Sequence, residues 1–294
     1  MQEENMQEEN GQKKKKKLLW TILLALSLLV VLVCGMILGR YYLKQWKSQK
    51  VYETLKEDYV KKEPEIAEES DTDEKDETDG SGIRDDLLVV DFESLWELNP
   101  DVYAWLEIPG TIISYPVLQH AVDDGYYLNH TIDYKEGRPG AIYSERCNET
   151  DFSEFIHILY GHNMRNGSMF ADLHKYEDQD FLNENSEIYI YTPDKIFVYR
   201  IFAAVVTGDR HIMYLYDFSS EAGKQKYLDD LYKKTDSRNR YLEGVEVTTE
   251  DKILTLSTCV YGEKDRRYLV NGVLEEIIEN KNKVTIQSQD SEIR

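Results

Sequence analysis

Residues 18–39 are twenty-two consecutive positions without a charged side chain, and they follow directly on five lysines at residues 13–17. As a helix this stretch rises about 33 Å, enough to cross the hydrocarbon core of a bilayer. It reads as a retained membrane anchor. A cleaved leader is the competing reading, but the apolar part of a leader usually runs only about 7 to 15 residues and ends at a small-x-small cleavage site, which does not follow here. Arg40, Lys44, Lys47 and Lys50 flank the far side. The five-lysine block is denser, which predicts a cytoplasmic tail at residues 1–17 and the bulk of the chain outside the cell.

Beyond the anchor, residues 40–86 read as a stalk and linker. Residues 63–86 hold twelve acidic side chains, few apolar ones and a Gly-Ser-Gly, a composition that cannot bury enough surface to offset the entropy of ordering. These acids lack the alternating ligands, loop glycine and terminal Glu of a calcium loop. No repeat of about 20 to 50 residues runs through the chain. The formal charge of −21 sets nucleic acid aside, because a phosphate backbone requires clustered Lys and Arg in excess. A chain of 294 residues has room for one sizeable domain of about 100 to 200 residues with appendages. That domain is expected at residues 87–280, followed by a polar tail at 281–294.

Within it, Phe92, Leu95, Trp96 and Leu98 recur at helical spacing until Asn99-Pro100, where the proline restricts the residue before it. This predicts a short entry helix. Short β-prone runs then follow at residues 104–108, 112–118, 155–160, 188–191, 197–206, 252–257 and 268–274, separated by Gly, Pro, Asn or Asp. The fold class is mainly β, a closed barrel or a sandwich. One segment interrupts the series: Tyr227, Leu228, Leu231 and Tyr232 form an apolar stripe within residues 219–236, which predicts an amphipathic helix inserted between two strands.

The stretch LTLSTCVYGEKDRRYLV, residues 254–270, ends an apolar strand on Cys259 and carries two arginines soon after. Of the three cysteines, Cys34 lies in the anchor, leaving Cys147 and Cys259 outside. One disulfide between them stays open on spacing alone. Zinc is poorly supported, since neither thiol belongs to a C-x-x-C pair and the six histidines show no paired ligand spacing. Nucleophilic chemistry at Cys259 needs a cationic neighbour to ionise the thiol, a proton donor for a leaving amine and a stabiliser for the oxyanion. In FIHILYGHNMRNGSMF, residues 155–170, the strand alternates up to Tyr160 and Gly161 breaks it, so His162 falls just past the strand end. His157 sits within the apolar run and reads as a packed, hydrogen-bonded histidine. His162 is placed like a site residue, although a plain loop histidine in a Gly-Asn turn has the same spacing. Alternation puts Arg266 and Arg267 on opposite faces of their strand and does not say which of them faces Cys259.

The stretches TLSTC at residues 255–259, YGHNM at residues 160–164 and RYLV opening at Arg267 resemble the sortases, membrane-anchored cysteine transpeptidases of Gram-positive bacterial surfaces. NPDVYAWLEIPGTIISYPVLQ at residues 99–119, the extended GHNMRNGSMF and the inserted helix are similar to class B, and the likeness runs from about residue 92 to residue 274. It implies a closed sortase-type β-barrel with an N-terminal helix and an inserted helix before the cysteine strand. It implies that Cys259 attacks the Thr carbonyl of an NPxTx-like C-terminal sorting signal on a secreted protein, forming a thioester. By the same likeness His162 is the proton donor, Arg267 holds the oxyanion, and Thr258 and Ser257 are substrate contacts. The acceptor is implied to be an amino group of a lipid II-like cell-wall precursor, and no metal or organic cofactor is called for.

Two departures stand out. Val260 follows the cysteine, where many relatives have an acidic or polar residue. Residues 211–218 match the family's groove-lining loop only loosely; Tyr214 is the candidate wall residue there, against the plainer reading that it packs on the inserted helix. Three other readings remain at this point. A pilin-polymerising enzyme would use a lysine acceptor, a membrane-anchored cysteine protease would use water, and a non-catalytic surface module would have no use for a reactive thiol.

Overall fold

A computed structural model describes residues 2–62 and 87–280. Residues 63–86 and 281–294, read above as the acidic linker and the polar tail, lie outside the described residues. The chain divides into two compact units between Lys50 and Val51. Helix α1 (Gln2–Tyr59) contributes to the first unit the segment Lys14–Leu43, whose most apolar 18-residue window has a mean hydropathy of 2.9, long and apolar enough to cross a membrane. One N-terminal apolar helix of this kind is consistent with a single-pass membrane anchor.

The second unit begins with the last turns of α1, which bury Tyr52 and Leu55 in the core. They lead into β1 (Val60–Lys62), paired with β2 (Leu88–Val90). Packing therefore starts before residue 87, where the apolar pattern first becomes dense. Tyr52 and Leu55 are two apolar positions among charged ones. The entry helix α2 (Phe92–Leu98) starts at Asp91, whose side chain accepts from the Ser94 N–H, and ends at Asn99, whose N–H donates to the Leu95 carbonyl. Such capping satisfies backbone groups that a helix end leaves free.

The strands that follow are β3 (Val102–Glu107), β4 (Ser114–Leu118), β5 (Ile142–Tyr143), β6 (Ile156–Tyr160), β7 (Glu187–Tyr191), β8 (Lys195–Gly208), β9 (Arg240–Tyr241), β10 (Ile253–Val260) and β11 (Glu263–Glu279). They form one sheet in the order β11-β10-β6-β5-β4-β3-β7-β8-β9, and β11 also pairs with β8. All but β9 thus close into a barrel, the mainly β architecture expected from the sequence. Between β6 and β7 lie a 3-10 helix (Ala171–Glu177) and α3 (Gln179–Glu184); between β8 and β9 lie α4 (Ile212–Leu215) and α5 (Glu221–Tyr232).

The strands that carry the site are buried on both faces. Leu159, Leu254, Leu256 and Val270 point into the barrel core, while Ile156, Ile158, Ile253 and Leu269 point outward against Tyr227, Leu228 and Leu231 of α5. Burial on both sides explains why these strands read as near-continuous apolar runs. Tyr232, also assigned to the stripe, lies at its edge and is half exposed. Ser220 caps α5 by accepting from the Gly223 N–H. Gly223 has no room for a side chain, because a Cβ there would stand 2.0 Å from the Asp217 carbonyl oxygen.

A buried polar cluster locks α5 onto this face. The Tyr227 hydroxyl lies 3.0 Å from Asn271 Oδ1 and 3.2 Å from Thr255 Oγ1; Thr255 donates to Asn271, whose amide donates to the Ala203 carbonyl. Tyr227→Phe removes the hydroxyl and its contacts to Asn271 and Thr255 from this enclosed network while keeping the ring packing. The expected cost is about 1 to 2 kcal/mol, the range for a lost buried hydrogen bond. It should appear as a lower urea midpoint with an unchanged slope, and an unshifted midpoint would show that the cluster does not hold the helix.

Candidate active site

β6 and β10 run parallel, in a register that pairs Leu254 with His157 and Ser257 with Tyr160. Both strands leave the barrel at the same end, and the residues just past them are tied together. The Gly161 N–H donates to the Ser257 carbonyl at 3.2 Å, and the Thr258 hydroxyl donates back to the Gly161 carbonyl at 2.8 Å. Thr258 thus turns its hydroxyl toward the His162 loop. Ser257 and Cys259 share the outer face by alternation; Ser257 is buried and Cys259 is exposed.

The antiparallel register of β10 with β11 sets Arg267 directly across from Cys259. Paired residues of an antiparallel ladder project to the same face, so the choice that alternation left open falls on Arg267. Its guanidinium donates to the carbonyls of Lys264 and Arg266, both at 3.0 Å. Arg266 points to the other face and lies 3.8 Å from Glu263.

His162 is half buried, and its Nε2 lies 2.8 Å from the Leu128 carbonyl. A carbonyl only accepts, so Nε2 carries the hydrogen and Nδ1 is the nitrogen left for proton transfer. Burial holds His162 below the ordinary imidazole value; the Leu128 carbonyl works against this shift and the positive charge of Arg138 adds to it. The loop supplying Leu128 is pinned by Asn99, whose buried side chain donates to the Tyr127 hydroxyl and the Ile132 carbonyl and accepts from the Tyr134 hydroxyl. The Asn-Pro that stops α2 therefore also anchors the support of His162.

His157 is buried with its Nε2 3.0 Å from the Tyr103 hydroxyl, as its place in the apolar run suggested. Tyr214 is 86% exposed and its ring lies on His211 at 4.4 Å, so it does not pack on α5. Cys147 and Cys259 are both free thiols. The thiol of Cys147 is pushed up to about 11 by burial and by the carboxylates of Glu145 and Asp124, which disfavours its thiolate. Among the described residues no three His, Cys, Asp or Glu side chains gather as a metal site.

Three contributors were not legible in the sequence. These are the Leu128 carbonyl and the side chains of Asn163 and His174, which lie 2.9 Å and 3.1 Å from the Cys259 carbonyl oxygen. Asn163 stood inside the quoted GHN motif, whereas His174 and Leu128 reach the site through contacts 85 and 34 residues distant in sequence.

A β-barrel with an exposed thiol, an opposed arginine and a tethered histidine at one end is the architecture of a cysteine acyl-transfer enzyme. A family model for the sortase domain matches residues 106–275. Sortase B of Listeria monocytogenes is 36% identical over 177 residues, which cover 60% of this chain and 68% of that protein. The X-ray structure of Clostridium perfringens sortase B superposes with a TM-score of 0.57 at 28% identity, covering 63% of this chain and 100% of that one. The Staphylococcus aureus sortase B–substrate complex gives a TM-score of 0.56 at 30% identity, over 63% and 84% of the two chains. The chain belongs to the sortase family, in its class B branch. It is a cysteine transpeptidase of the kind that acts on proteins carrying sorting signals.

The charge of Arg138 disfavours a proton on His162, so Arg138→Gln should favour it. The limb of the pH profile of kcat/KM that belongs to the coupled thiol–imidazole pair on its acid side should move to higher pH. A limb that stays in place or moves to lower pH would remove His162 from the titrating pair.

Proposed function

We propose that this enzyme cleaves an NPxTx-like C-terminal sorting signal on secreted proteins and joins the freed threonine carbonyl to an amino group of a lipid II-like cell-wall precursor. The observation that carries this reading is the exposed Cys259 directly opposite Arg267, at the strand end to which the His162 loop is tied. The lysine block before the apolar helix supports an N-terminus in the cytoplasm and a catalytic domain outside the cell.

In the first half-reaction the Cys259 thiolate attacks the threonine carbonyl, forming an S–C bond and an oxyanion. Arg267 swings its guanidinium from its own strand's carbonyls to this oxygen. Collapse breaks the C–N bond, and protonated His162 delivers its Nδ1 proton to the leaving amine. In the second half-reaction an incoming amine attacks the thioester, His162 takes up the amine's proton, and the C–S bond breaks to restore the thiolate. Because burial depresses His162, only a fraction of molecules carry the required imidazolium at neutral pH. Ser257, beneath Cys259 on the same face, and Tyr214, an exposed residue of α4, are the proposed contacts for the bound peptide, with the Thr258 backbone as a further donor.

Residues 87–280 alone would omit the packed helix turns at 51–59, so the test uses the full chain in detergent. It is incubated with sorting-signal peptides and candidate amines, and products are read by mass. An amide between threonine and amine supports the proposal, and hydrolysis alone despite abundant amine refutes it. Arg267→Ala should lower kcat about a hundredfold to a thousandfold, the usual cost of a lost oxyanion donor. Arg267→Lys should recover little, since an ammonium lacks the planar fork, and Arg266→Ala should stay near wild type. A large loss at Arg266 instead would place the wrong arginine at the oxyanion.

A further inference from the structure

We infer that His174, with its carboxylate partner Glu177, is a positioning residue for the nucleophile: together with Asn163 it clamps the backbone carbonyl of Cys259 and fixes the direction in which the thiol leaves the strand. This rests on Cys259 being the nucleophile. The need for a clamp follows from the ladder. Ser257 is the last residue of β10 paired with β6, and the register with β11 shifts between Cys259 and Val260. The peptide that follows the nucleophile therefore sits where regular pairing breaks down.

Two side chains take over at that point. Asn163 Nδ2 lies 2.9 Å from the Cys259 carbonyl oxygen and His174 Nε2 lies 3.1 Å from it. Since Asn163 is the next residue after His162, one bond links the carbonyl to the loop that holds the proton donor. His174 is itself held on two sides. Its Nδ1 is 2.7 Å from Glu177 Oε1, one turn on in the 3-10 helix, where residues three apart eclipse. Its ring stacks on Tyr268 at 4.9 Å and 20°, and Tyr268 pairs across the ladder with Thr258.

An acceptor stands at each ring nitrogen, the Cys259 carbonyl at Nε2 and a Glu177 carboxylate oxygen at Nδ1, so the ring is held from both sides. The other groups around the ring are Lys175 and Asp178 from its own segment and Arg240 from β9, which with Glu177 and Phe181 line a cavity of about 680 Å³ beside it. If His174 served only as a packing ring on Tyr268, any aromatic would replace it; if it is a clamp, the N–H donor is indispensable.

The test separates these roles in the full chain. His174→Phe keeps the stack and loses the donor; kcat should fall about tenfold with KM within about twofold, the scale of one hydrogen bond. His174→Gln restores an N–H and should return kcat to within about threefold of wild type. Glu177→Gln, at a half-exposed position, should lower kcat about threefold, a fraction of one hydrogen bond. Iodoacetamide labelling of Cys259 at one fixed pH should slow in both His174→Phe and Glu177→Gln, because the thiol is no longer held in one direction. Wild-type kcat and labelling in His174→Phe, or equal losses in His174→Phe and His174→Gln, would overturn the clamp. Cys259→Ala is run alongside: turnover by it would sink the nucleophile assignment, whereas an inactive Cys259→Ala beside a fully active His174→Phe would sink the clamp alone.

Discussion

The parallel pairing of β6 with β10 is the constraint on which the site depends. Side by side and pointing the same way, the two strands end together, so His162 and Cys259 emerge at one rim of the barrel although almost a hundred residues separate them. Antiparallel pairing would have sent them to opposite ends. Parallel neighbours require a long crossover connection, and the chain between them supplies β7, β8 and the inserted α5. The antiparallel turn into β11 then brings Arg267 back opposite the thiol. Topology thus brings His162, Cys259 and Arg267 to one rim of the barrel, and apolar burial on both faces of β6 and β10 holds the strands that lead there.

Burial has a chemical consequence at the same place. The wall that orients His162 through the Leu128 carbonyl also takes the ring partly out of water and disfavours its charged form. Tight positioning is therefore obtained at some cost to the population of the charged imidazole. The two thiols that follow the apolar helix differ in their neighbours. Both are exposed; Cys147 lies near the carboxylates of Glu145 and Asp124, which oppose its ionisation, while Cys259 has Arg267 across the ladder.

Much of the barrel was legible because each long strand is a run of apolar residues bounded by turn formers, and α5 because its stripe buries Tyr227, Leu228 and Leu231. Strand ends were less so. β11 starts at Glu263 and continues to Glu279, through charged residues that resemble a turn and a tail but pair with β10 and β8. β5 has only two residues, too few for any periodicity. The helix turns holding Tyr52 and Leu55 look polar because only one narrow face is buried. At the candidate site, Cys259 and His162 stood out in the sequence by their places at strand ends and Arg267 by family likeness alone; the ladder register sets Arg267, not Arg266, across from Cys259. The Leu128 carbonyl carries no side-chain signal, and His174 only becomes a neighbour of Cys259 once the 3-10 helix packs on Tyr268.

The central claim is that acyl transfer passes through Cys259. Its most direct test is the mass of the full chain after mixing with a sorting-signal peptide in the absence of any amine, followed by acid quench and proteolysis. A peptide-derived adduct on the fragment containing Cys259, released by hydroxylamine as a thioester would be, is the predicted result. An adduct on the fragment containing Cys147, or peptide cleavage at full rate in Cys259→Ala, would contradict the account.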